Sequence, residues 1–154
     1  MFEFLKSLFK QPKPAGPPIQ LKSFTTSDQT IDQDLTTEED GWYLGSRKDQ
    51  TIRLFEVHGP DVEQCMLTYR AKLKTQDFTG RAYLEMWCRL PGRGEFFSKG
   101  LQHPVSGTSD WASCEIPFYL KKGQKPDLIK LNIVAEGKGE LWTKEIELLQ
   151  TPLK

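Results

Sequence analysis

The chain has 154 residues, with 21 lysines and arginines balanced by 21 aspartates and glutamates. That length supports one domain with a core of its own and is short for two. A net charge of zero leaves no electrostatic footprint for the term that dominates nucleic-acid affinity, so no nucleic acid is expected as a partner.

The first segment, residues 1–10, is amphipathic. On a helical wheel Met1, Phe2, Phe4, Leu5, Leu8 and Phe9 fall on one side, and Glu3, Lys6, Ser7 and Lys10 on the other. The pattern predicts a short helix. A helix of about ten residues is marginal in water, so its apolar face needs a surface. The body of the protein, the groove of a protein partner and a membrane interface all fit, with Phe2, Phe4, Leu5, Leu8 and Phe9 as the docking residues. Residues 11–18 contain Pro12, Pro14, Pro17 and Pro18 around Ala15 and Gly16, which predicts a semi-rigid linker. No continuous apolar run reaches the length of a secretory signal or a membrane span, so the expected location is cytoplasmic, with peripheral membrane attachment open through the helix.

From residue 19 to residue 154 the chain reads as one β domain. Residues 27–40 are rich in aspartate, glutamate and threonine and predict a surface loop. Strands are predicted at residues 51–57, 65–73, 81–90, 111–120, 128–135 and 140–149, with shorter pieces at 19–24, 42–44 and 95–98. Gly59-Pro60, Thr79-Gly80, Pro91-Gly92, Lys122-Gly123, Lys125-Pro126 and Gly137-Lys138-Gly139 punctuate them. Short spacing and glycine–proline punctuation argue for an all-β antiparallel sandwich or barrel. Each strand keeps one apolar face, such as Cys65, Leu67, Tyr69, Ala71 and Leu73, or Ile129, Leu131, Ile133 and Ala135. Cys65, Cys88 and Cys114 are odd in number and lie in apolar stretches, where a free thiol behaves as a small hydrophobe.

Residues 81–90 carry the clearest functional signal. Ala82, Leu84, Met86, Cys88 and Leu90 face the core, while Tyr83, Glu85, Trp87 and Arg89 face the other way together with Arg81. Aromatic faces stack and charged groups fix orientation, so this set can form a ligand platform. Arg70, Lys72, Lys130 and Asn132 extend it if their strands share the same sheet. The alternative is a Trp and a Tyr covered by a loop or by the N-terminal segment. Residues 91–110, with Phe96 and Phe97, form either a long binding loop or a short extra strand. Trp111 and Trp142, at strand starts, are expected at the core or its edge. His58 and His103 are the only histidines, and neither stands in a spacing that marks a nucleophile and its base, so no enzyme is expected. No paired-ligand spacing marks a metal site, and no cofactor is expected.

Three patterns carry a resemblance to a known class: the aromatic-rich strand Tyr83-Leu-Glu-Met-Trp87, the Ser109-Asp-Trp111 stretch that leads into an alternating strand to Phe118, and the closing Gly137-Lys-Gly-Glu-Leu-Trp-Thr-Lys-Glu-Ile-Glu-Leu148. Over about residues 42–149 the chain resembles the jelly-roll carbohydrate-binding modules of the galactose-binding-like class. The resemblance implies a two-sheet sandwich and a non-catalytic module that presents one face to a polar, carbohydrate-like ligand. Such modules can also bind proteins or brace an enzyme, which keeps open a cytoplasmic scaffold docked through its N-terminal helix. Where relatives place two adjacent acids in the final strand, one of them beside a structural calcium, this chain has Lys144-Glu145. An ammonium there opposes a divalent cation.

Overall fold

Strands form wherever the sequence alternates. The computed structural model describes residues 12–154, so the helix expected over residues 1–10, with its docking residues Phe2, Phe4, Leu5, Leu8 and Phe9, lies outside the described residues. The described chain contains β1 (Ile19–Phe24), β2 (Thr36–Thr37), β3 (Gly41–Ser46), β4 (Gln50–His58), β5 (Cys65–Leu90), β6 (Gly94–Lys99), β7 (Val105–Leu120) and β8 (Leu128–Pro152). Every pairing is antiparallel, and no helix occurs among the described residues.

Two strands are far longer than the sequence predicts. The expected pairs of strands at 65–73 with 81–90, and at 128–135 with 140–149, are continuous as β5 and β8. These two run antiparallel to each other along nearly their whole length, from Cys65 opposite Pro152 to Arg89 opposite Leu128. They fold over midway, so one hydrogen-bonded sheet supplies both layers of a β-sandwich, where two separate sheets were expected. The first layer has the order β4, β8, β5, β6, using residues 128–136 of β8 and 80–90 of β5. The second places β1 and β3 along one edge of residues 139–152 of β8, followed by residues 65–76 of β5 and then β7, with β2 outside β3.

The fold-over is made by glycine. Gly80 stands opposite Gly137 at the corner, with φ of 95° and 137°, and Gly139 follows at 146°. A Cβ on Gly80 would overlap the Glu136 carbonyl oxygen, and one on Gly137 would overlap that of Thr79. The backbones cross too closely for any side chain, in a region that L-residues rarely adopt.

The apolar parities meet between the layers. Leu67, Tyr69, Ala71 and Leu73 from the second layer join Ala82, Leu84, Met86, Cys88, Ile129, Leu131, Ile133 and Ala135 from the first in one core cluster. Each fully buried large aliphatic side chain contributes about 1.5–3 kcal/mol. The Tyr69 hydroxyl, buried at the centre, donates across the gap to the Asn132 carbonyl oxygen at 3.1 Å. Phe24 stacks on Phe55 at 4.1 Å, with Trp42 edge-on to Phe55 at 5.5 Å, closing one flank.

The surface segments are tied down. Of the two accounts of residues 91–110, the extra strand is the one observed. Phe96 and Phe97 lie in β6, and β7 already begins at Val105. The acidic loop covers the outer edge of β4, with Ile31 and Asp32 amides donating to the Leu54 and Arg53 carbonyls at 2.9 Å each. The proline-rich stretch runs beside the C-terminus: Ala15 donates to the Pro152 carbonyl at 2.7 Å and Lys154 to that of Lys13 at 3.0 Å.

Cys65, Cys88 and Cys114 are buried free thiols. Burial pushes Cys65 up to about 11, Cys88 up to about 12, and Cys114 upward. Native protein will therefore resist alkylating reagents at neutral pH and react at the rate at which it unfolds, a correspondence that parallel labelling and unfolding kinetics check. Gly137→Val will destabilise by about 3 kcal/mol or more, because it combines a backbone overlap with an unfavourable φ; a denaturant midpoint indistinguishable from the parent's would contradict the corner geometry.

Candidate functional site

Register decides which side chains share the outer surface of the first layer. Trp87 lies between Lys130 on β8 and Phe97 on β6, Glu85 between Asn132 and Lys99, and Arg89 between Leu128 and Glu95. Tyr83 stands opposite Val134, and β4 adds Arg53 beside Asn132 and Glu56 beside Lys130. The structure thus brings Tyr83, Glu85, Trp87, Arg89 and Asn132 onto one face, with Lys130 among them.

Arg70 is placed elsewhere. It lies on the first half of β5, opposite Glu147 and Glu115 in the second layer, and pairs with Glu147 at 3.2 Å. Lys72 is on that surface too. The fold-over in β5 separates both from Trp87, which alternation alone cannot reveal.

The centre of the face is a polar pair under cover. Asn132 Nδ2 donates to Glu85 Oε1 at 2.9 Å, and both residues are only 5% exposed. Lys99 Nζ sits 3.7 Å from the other Glu85 oxygen. A buried carboxylate persists only when paired and hydrogen-bonded in this way. Tyr83 is buried as well, its hydroxyl donating to Glu136 at 3.0 Å while the Arg81 guanidinium lies 5.4 Å from its ring centroid. Alternation predicts an outward set, and the set does point outward, but long flanking side chains close over Tyr83 and Glu85. Trp87 is left half-buried and Arg89 exposed.

Trp87 packs on Phe97 with centroids 5.1 Å apart and rings inclined by 54°, and Phe97 is 54% exposed. Sequence reasoning did not assign Phe97 to the platform. The turn after Leu90, closed by the Arg93 amide on the Leu90 carbonyl at 2.9 Å, sets a hairpin register that places Phe97 opposite Trp87. Around this pair Lys130 bonds Glu95 at 2.8 Å, and Arg89 holds Asp127 at 2.8 and 3.2 Å. The Arg89 guanidinium keeps the Asp127 carboxyl below its ordinary range. At the other end hydrogen bonds from Arg81 and Tyr83 do the same for Glu136, while burial, then Glu136, raises the Tyr83 phenol.

The outer surface of the second layer is aromatic too. Trp111 and Trp142, expected at the core or its edge, lie half-exposed on this outer side. Trp142 packs beside Tyr43 at 5.2 Å, whose hydroxyl donates to Glu140. Lys74 Nζ stands 4.7 Å from the Trp142 ring and 5.6 Å from that of Trp111, and Lys144 Nζ is 4.2 Å from Trp111. A neighbouring cleft of about 330 Å³ is lined by Arg70, Lys72, Ser113, Glu115, Glu145 and Glu147. Glu145 is bonded to Lys72 at 2.8 Å, and Lys144 points at Asp40 at 3.5 Å. These residues do not fit a calcium ion, which needs carboxylate and carbonyl oxygens without ammonium groups between them. Of the two histidines, His58 faces Glu56 at 3.6 Å.

The sequence matches no protein-family model and no curated protein. Solved structures match it in fold. The CBM22-1 xylan-binding domain of Paenibacillus barcinonensis Xyn10C is 11% identical, with a TM-score of 0.60 over 91% of this chain and 99% of that one. The CBM22-1 and GH10 modules of Clostridium thermocellum xylanase 10B, in complex with xylohexaose, give 10% identity and a TM-score of 0.54 over 87% of this chain and 25% of that one. A family 30 carbohydrate-binding module gives 11% identity and a TM-score of 0.51 over 86% and 98%. The chain has the β-sandwich fold of carbohydrate-binding modules.

The depressed Glu136 and Asp127 carboxyls contribute to the acid response, together with Glu63 and Glu145, which are lowered as well. A group held below its ordinary value stabilises the fold above that value, and the contribution is lost as pH falls through the depressed one. The urea midpoint will therefore hold steady above the ordinary glutamate value of 4.5 and decline as pH falls further below it. In Glu136→Gln the decline will be shallower; an identical pH profile would show that the Arg81–Glu136–Tyr83 contacts do not form in solution.

Proposed function

We propose that this protein is a non-catalytic carbohydrate-binding module, and that it holds a polar oligosaccharide on the outer face of its first layer. The observation that carries the reading is the half-buried Trp87 beside the exposed Phe97, next to a buried Glu85–Asn132 pair flanked by Lys99, Lys130 and Arg53. Sugar rings present apolar C–H faces and a rim of hydroxyls. Flat aromatics suit the first, and fixed donors and acceptors the second.

The face is preorganised for this chemistry. Glu85 and Asn132 hold each other, so little side-chain freedom remains to be lost on binding. Lys99 and Lys130, each about one-third exposed at the side chain, have donors left over for hydroxyls. The fold of xylan-binding CBM22 modules supports β-linked xylo-oligosaccharides as the first ligands to test. Non-catalytic action is supported by the engagement of Glu85, which is held by Asn132 and Lys99 rather than set beside a second carboxyl group.

Calorimetry with xylohexaose and a glycan array test the reading. The parent will bind at least one β-linked oligosaccharide, Trp87→Ala will weaken that binding by about tenfold or more, and Arg70→Ala, on the other layer, will leave it unchanged. A parent that binds no glycan, or a folded Trp87→Ala that binds as the parent does, would overturn it.

A further inference from the structure

The first layer has two edges, and they are treated differently. The edge at β4 is covered by the acidic loop through the Ile31 and Asp32 amides. The edge at β6 is bare: β6 ends the strand order, and among the described residues no backbone group pairs with its outer side. Of the four exposed large hydrophobics among the described residues, three, Phe96, Phe97 and Leu101, lie on β6 or two residues beyond it. Residues 94–99 contain no proline, and their pairing with β5 shows no register shift. Among the described residues a proline, a bulge and a covering segment are therefore absent from this strand, and its charges are limited to Glu95 and Lys99.

The order of side chains identifies what fits there. Glu95, Phe97 and Lys99 share the outer surface, with opposite charges placed symmetrically about the phenyl ring. If β6 meets the β6 of a second molecule antiparallel about a two-fold axis through residue 97, Glu95 of each faces Lys99 of the other. Phe97 then faces Phe97, and Phe96 faces Ser98. Oppositely charged and aromatic cross-strand pairs favour such a ladder, and one surface serves both molecules, as two-fold symmetry requires. We infer that β6 is a self-association edge, through which two copies of this chain join their first layers into one continuous sheet. Within one molecule Glu95 contacts Lys130 at 2.8 Å and Lys99 approaches Glu85 at 3.7 Å. A partner strand would share both charges with these contacts.

Charge reversal in the full-length chain tests this register independently of any ligand. In Glu95→Lys, lysine faces lysine at both ends of the ladder; in Lys99→Glu, glutamate faces glutamate. Sedimentation equilibrium over a range of concentrations will show the parent self-associating, and each variant doing so about tenfold more weakly. An equimolar mixture of the two variants restores attraction at both ends, so it will associate at least as tightly as the parent, which also shows that both variants fold. A parent that stays monomeric at millimolar concentration would overturn the inference, and would leave the edge to residues 1–11 or to another partner. A parent dimer unaffected by either reversal, or a mixture no tighter than its components, would overturn it as well.

Discussion

The close crossing of Gly80 and Gly137 is the constraint on which the architecture depends. Without it β5 and β8 would continue as a flat two-stranded ribbon, with apolar residues on one side and nothing to bury them against. With it, the same ribbon turns over and presents one apolar half to the other. The remaining strands are added to these halves: β4 and β6 to the first, β1 and β3 to the second with β2 outside β3, and β7 to the second except at Val105, which pairs with Ala82 of the first. A ladder shared by both layers also couples them mechanically. Slippage by one residue in either half would carry its apolar parity to the outside and would have to pass through a corner that admits no Cβ.

Tyr69 carries that coupling to the candidate site. Its ring belongs to the packed second layer, while its hydroxyl bonds the backbone of Asn132 in the first. Asn132 turns its side chain the opposite way, to the outer surface, where it bonds Glu85. One residue is thus gripped from behind by the core and in front by a carboxylate. Burial pushes the Tyr69 phenol upward, so it remains a neutral donor across ordinary pH. The proposed ligand face, supported in this way, is built on the core strands rather than on a long loop.

Side-chain parity was legible in the sequence because it needs only the two-residue repeat of a strand. Leu67, Leu84, Leu131 and their neighbours fall inward as alternation predicts, and Trp87 and Arg89 fall outward. Neighbourhood was not legible, because it depends on which strands pair and where they bend. Arg70 and Trp87 both point outward from one strand, on opposite parities because the register shifts between Gln76 and Thr79, and the bend there puts them on different layers. Phe97 joins Trp87 only through the hairpin register. Burial of Tyr83 and Glu85 escaped for a related reason: a residue on the outer parity of a central strand is closed over when its flanking strands carry long side chains. The N-terminal amphipathic pattern lies outside the described residues.

Two outer surfaces carry tryptophan, and the company each keeps separates their roles. On the second layer Lys74 stands over both Trp111 and Trp142, and Lys144 stands over Trp111. A sugar ring stacking there would first have to displace ammonium groups whose contacts are worth about 0.5–1 kcal/mol each at exposed sites. Those lysines, on β5 and β8, also tie the indole of β7 to that of β8 in the manner of cross-strand pairs. On the first layer the principal aromatic neighbour of Trp87 is another ring, Phe97, and Lys99 stands over the phenyl at 4.7 Å rather than over the indole. Among the described residues no cation occupies the Trp87 face. An indole already covered by ammonium groups serves packing, whereas one held at an angle by a neighbouring ring, beside a fixed polar pair, keeps a surface open to a ligand. That difference in occupancy, more than the count of aromatics, is why the proposed recognition face is the first layer and not the second.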